Sequence, residues 1–174
     1  MNRKYATDKE QTGFEKLLDF NQLLNLKELR QTTEGDYRDA TGITITTNQK
    51  VNIENKVRNQ TLFYDNGKPY ISGITSSNSP YSADSIYIES HKAADLLMDW
   101  ITLDFIPLFI NYLSDNIVVV FNLSKLKNRP KSRHLRIYSS LYQSYEEADR
   151  LELQLQDAFI YKKYKNNKYL YVKS

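Results

Sequence analysis

Apolar residues recur with helical spacing at Phe14, Leu17, Leu18 and Leu24, and Thr7 followed three positions on by Glu10 has the form of a capping box. The spacing predicts a helix from Asp8 to Leu26, against which Gly13 weighs by up to about 1 kcal/mol relative to alanine. Beyond the polar stretch QTTEGDYRDA the period changes to two. Ile43 and Ile45 alternate with Thr44 and Thr46, Asn48, Gln49 and Lys50 supply a turn, and Val51 to Arg58 alternates again. These two runs predict an antiparallel hairpin.

From Gln60 to Ser85 turn signals dominate (Asn66-Gly67, Lys68-Pro69, SSNSPYSADS), so loops around a short strand are expected. Ile86 to Glu89 reads as a strand and Lys92 to Trp100 as a helical turn or two, with Trp100 in the core. Phe105 to Leu113 and Ile117 to Leu123 are apolar enough for a pair of buried strands joined at Ser-Asp-Asn, and Pro107 marks the first as an edge strand or a late starter. Ser144 with Glu147 forms another capping box, and Ala148, Leu151, Leu155 and Phe159 trace a stripe that predicts a second long helix to Tyr164. Tyr169 to Val172 adds a terminal strand. The expected fold is mixed α/β: one domain over residues 1–174, a central mixed sheet flanked by helices.

Composition narrows the chemistry. The 174 residues suffice for one core, and a mean hydropathy of -0.63 describes a polar surface. With no cysteine and only His91 and His134, any metal should be a hard ion held by oxygen. Neither an apolar span nor a secretory h-region is present, so the expected setting is cytoplasmic, without membrane association. Richness in Asn, Lys, Ile and Tyr hints at a low-GC bacterium or a phage or other mobile element. The net charge of +3 decides nothing, but its distribution is uneven. Lys125, Lys127, Arg129, Lys131, Arg133 and Arg136 fall in one stretch that could neutralise phosphates as readily as form a plain basic surface. A second group, from Lys162 to Lys173, lies among tyrosines.

In the strand Val51 to Arg58, residues two apart share a side, so Glu54, Lys56 and Arg58 oppose Val51, Ile53 and Val57. A carboxylate beside an ammonium on a rigid strand can bind a divalent ion and orient a water. Asp39, just ahead of the partner strand, is positioned to supply a second acid, with Asp36 as competitor. A solvated strand face with cross-strand ion pairs is the competing reading of Glu54 and Lys56.

The order Asp39, then Glu54-Asn55-Lys56 on a strand, within RDATGITITTNQKVNIENKVRN, resembles the PD-(D/E)XK nuclease superfamily, including small bacterial and phage members. The resemblance spans Asp36 to Leu126, with the first helix preceding it; no proline stands before Asp39, and the segment Gln60 to Ser85 is long for the pattern. It implies a restriction-endonuclease-like core and Mg²⁺- or Mn²⁺-dependent hydrolysis of phosphodiester bonds, with DNA the expected substrate. Asp39 and Glu54 would hold the metal with the Asn55 carbonyl, Lys56 would position the attacking water, and Glu89 is a further metal candidate. Arg58, Lys125, Lys127, Arg129, Lys131 and Arg133 are the expected nucleic-acid contacts. A non-catalytic nucleic-acid- or protein-binding accessory protein is the alternative, and homo-oligomers are left open.

Overall fold

A computed structural model describes residues 3–33, 38–139 and 143–172. The chain opens with helix α1 (Arg3–Leu24), so Thr7 lies inside the helix and not at its cap. The helix ends short of Leu26 because Asn25 takes a left-handed conformation at φ 54°. The Asn21 side chain then brackets Leu26, accepting from its N–H at 2.9 Å and donating to its carbonyl at 3.1 Å. That arrangement releases Leu26 into a strand the sequence reading did not anticipate, β1 (Leu26–Gln31).

The expected hairpin follows as β2 (Ala40–Thr44) and β3 (Lys50–Val57), paired antiparallel with Ala40 opposite Ile53. Segment 60–85 is more regular than expected, a three-stranded meander of β4 (Thr61–Asp65), β5 (Lys68–Ile74) and β6 (Pro80–Ala83). Asn66 and Gly67, both at positive φ, close its first turn, where glycine carries no side-chain penalty. Strand β7 (Ser85–Glu89) leads directly into helix α2 (Ser90–Leu103). Trp100, expected in the core, is 37% exposed on this helix, because Ala93 and Leu96 are the residues it buries.

Strands β8 (Ile106–Tyr112) and β9 (Ile117–Asn122) are the expected apolar pair. Pro107 does not mark an edge: β8 lies inside the sheet, and pairing with β9 begins only at Leu108, past the proline that cannot donate. The second long helix is absent. In its place stand β11 (Ser144–Gln154), a single 3₁₀ turn and β12 (Phe159–Lys163), with β10 (Lys131–Ser139) before and β13 (Tyr169–Val172) after. Leu151, Leu153 and Leu155 carry a two-residue period that competes with the helical stripe, and pairing decides between them. β11 is hydrogen-bonded on one side to β10 and on the other to β7, with Leu153 opposite Ile86.

Seven strands form the main sheet in the order β1-β2-β3-β8-β9-β12-β13, with β3 and β8 parallel. One face is covered by α1, whose Leu17 and Phe20 pack on Val51, Ile53, Ile110 and Val118. On the other face Ala93 and Leu96 of α2, Ile86 and Ile88 of β7 and Leu153 enclose Phe109 and Phe121. The polar side of β3 therefore looks into the junction where β7 becomes α2.

Candidate functional site

Alternation along β3 places Asn52, Glu54, Lys56 and Arg58 toward that junction. Asn52 donates to Asp99 on α2 at 2.9 Å and accepts from Arg38 at 3.2 Å, so the first polar position is committed to holding helix and strand together. Arg58, at the other end, donates to Asn111 Oδ1 at 2.7 Å and to the Tyr87 carbonyl at 3.0 Å, and lies over the Phe109 ring. Burial pushes its pKa down to about 10. Expected at a phosphate, Arg58 is engaged instead in fastening β3 to β8 and β7.

Between these ties stand Glu54 and Lys56. The Asp39 N–H donates to the Ile53 carbonyl at 2.8 Å, extending the β2–β3 ladder by one residue and setting Asp39 across from Glu54. Asp39 Oδ2 accepts from the Asn55 N–H at 2.7 Å, which pins the carboxylate against β3. The Asn55 side chain lies on the opposite face, near α1, and accepts from the Tyr112 hydroxyl at 3.2 Å. Asp36 lies outside the described residues.

Glu54 is almost fully enclosed, 1% exposed. Its Oε1 accepts from Lys92 Nζ at 2.5 Å, while Oε2, equally buried, has no hydrogen-bond partner. Burial, reinforced by the charge of Asp39, raises its pKa to about 7 against the opposing pull of Lys92 and Lys56. Lys56 is pushed down from its ordinary value, by burial first and by Lys92 second, with Glu54 and Glu89 resisting. A carboxyl group whose ionisation is disfavoured beside an amine whose protonation is disfavoured is a pattern that functional sites share with buried ion-pair networks.

Glu89 ends β7 and opens α2, with its carboxylate 3.8 Å from Arg150 and 3.4 Å from the exposed His91. Burial pushes its pKa up, but Lys92, Lys56, Arg150 and His91 outweigh that and hold it below the ordinary value. Among the described residues no three Asp, Glu, His or Cys side chains gather as a metal cluster. The donor set at hand is thus Asp39 with Glu54, two oxygen ligands that suit Mg²⁺, which takes one or two carboxylates and completes its shell with water and phosphate. The unpartnered Glu54 Oε2 fits such an ion, since a buried carboxylate oxygen left without any partner is costly.

Lys92 was not singled out from the sequence. The legible signal was its place: with Ser90 and His91 it begins α2, whose first turn carries no acid, where the helix dipole disfavours a cation. The basic residues Lys125, Lys127, Arg129, Lys131 and Arg133 are exposed along the turn after β9 and the start of β10. Across the small sheet Arg133, Arg150 and Glu89 stand in one row, so the basic edge begins two strand spacings, about 10 Å, from Glu89. Arg133 itself is paired with Glu152 at 2.9 Å. No family model, curated protein or solved structure matches the chain. Among the described residues no helix is long and apolar enough to cross a membrane.

Proposed function

We propose that the protein is a metal-dependent nuclease of the PD-(D/E)XK kind that hydrolyses phosphodiester bonds, with DNA as the substrate. The observation that carries this reading is the meeting of Asp39, Glu54 and Lys56 across adjacent strands, with one buried Glu54 oxygen lacking a partner. These are the residues whose order along the chain resembles that superfamily.

A divalent ion bound there would supply charge neutralisation at the phosphate. Asp39 and Glu54 would hold it. Lys56, whose protonation burial and Lys92 disfavour, lies beside Glu54 on β3, where it can orient the attacking water and take up part of its proton. The exposed cations from Lys125 to Lys131 meet the backbone of the nucleic acid, which requires positive charge and little sequence discrimination.

Incubation of plasmid, linear duplex and single-stranded DNA with Mg²⁺ or Mn²⁺ tests the proposal. Cleavage should stop with EDTA and fall by about a hundredfold or more in Glu54→Gln and in Lys56→Ala. Cleavage that survives both substitutions would overturn it. The Lys92–Glu54 ion pair favours a second reading, a module that binds nucleic acid without cutting it. That reading expects a mobility shift that persists in EDTA and no cleavage under any metal.

A further inference from the structure

Lys92 holds one oxygen of the carboxylate whose other oxygen has no partner. Its Nζ is 2.5 Å from Glu54 Oε1. It reaches the site from α2, an element otherwise devoted to covering the sheet with Ala93 and Leu96. Lys56 shares a strand with Glu54, whereas Lys92 comes from the first turn of α2 and its side chain is 24% exposed.

Resting on the nuclease reading above, we propose that Lys92 is an internal counter-cation that a divalent ion must displace from Glu54. In the metal-free protein its ammonium neutralises a carboxylate that would otherwise be buried uncompensated. When the ion binds the free Glu54 Oε2 beside Asp39, its two charges repel the ammonium held on Oε1 of the same carboxylate, and the ammonium swings toward its solvent-exposed side. On the nuclease reading the substrate phosphate approaches from that exposed side, so the freed Lys92 becomes a contact to it. The arrangement makes metal binding weak without nucleic acid and stronger with it, because the displaced ammonium then has an anionic partner.

The test uses Mn²⁺ as probe and the full chain. By titration calorimetry Lys92→Met should bind Mn²⁺ about tenfold more tightly than the wild type, while Lys92→Arg, which keeps the cation, should stay within a few-fold of the wild type. Loss of charge alone could strengthen binding at a distance, so a second readout reports displacement. Acetic anhydride labelling followed by mass spectrometry should show Lys92 modified faster with Mn²⁺ than without it. Labelling of Lys92 that Mn²⁺ leaves unchanged or slows overturns the proposal. So does Mn²⁺ affinity that is unchanged by Lys92→Met yet abolished by Glu54→Gln, an outcome that spares the nuclease reading. Failure of wild type and Lys92→Met alike to bind Mn²⁺ overturns both.

Discussion

Glu54→Gln is expected to stabilise the metal-free protein, by an amount that depends on pH. The side chain is almost wholly enclosed, and its pKa rises from the ordinary 4.5 to about 7 through burial and the neighbouring charge of Asp39. Below the unfolded value both states hold the proton and nothing is lost. Between the two values the folded state binds a proton that the unfolded state lacks, so stability falls as pH rises, and the full loss is present above the folded value. A displacement of about 2.5 units corresponds to about 3 kcal/mol. Glutamine has nearly the same shape, can still accept from Lys92 and carries no charge. Because the change also removes the ion pair of Lys92, urea unfolding in EDTA should show the variant and the wild type nearly equal at about pH 4 and the variant more stable by at most about 3 kcal/mol at about pH 8.5. Added Mg²⁺ should stabilise the wild type and leave the variant unmoved. A variant that is less stable at the higher pH, or a difference that does not change with pH, would refute the account of Glu54 as a carboxylate ionised against its surroundings.

Other outcomes follow from the same geometry. Leu153→Ala empties a fully buried position on β11 and should cost about 2–5 kcal/mol by denaturant unfolding, whereas a solvated position would cost little. Asp19 accepts from Lys163 at 2.8 Å and from Tyr169 at 2.6 Å; burial pushes its pKa up, but these bonds outweigh it and hold it below the ordinary 3.8. Asp19→Asn should thus cost at most about 1 kcal/mol near neutral pH, and the difference should fade as acid protonates the wild-type carboxylate, readable as converging melting curves. Replacing Lys125, Lys127 and Arg129 together by alanine should weaken DNA binding across sequences and reduce the slope of log affinity against log salt by about 2 to 3, measured by fluorescence anisotropy. An unchanged slope would remove that edge from the binding surface.

Much of the fold was legible wherever the pattern of side chains had one interpretation. Ile43 to Arg58 alternates cleanly, Ile86 to Glu89 is compact and β-branched, and the runs ending in Leu113 and Leu123 are too apolar to lie anywhere but inside. The alternation in β3 also determined that Glu54 and Lys56 share a face, since side-chain direction on a strand is a property of the backbone alone. The largest miss was a segment with two periods written into it. The stretch from Ser144 to Tyr164 carries both a helical stripe and the alternation of Leu151, Leu153 and Leu155, and only the hydrogen-bonding edges offered by β7 and β10 selected the strand.

For the site, local sequence set the chemical character of Asp39, Glu54 and Lys56. Tertiary structure decided their company. Glu89 and Lys92 come from 33 and 36 positions beyond Lys56, brought in because β7 and α2 close over the polar side of β3, and Arg58 was drawn into holding the strands together. Burial is a collective property of the fold, and burial is what displaces the Glu54 and Lys56 equilibria. The identity of a residue is written in the chain, but the dielectric around it and the charges facing it exist only once distant segments have packed.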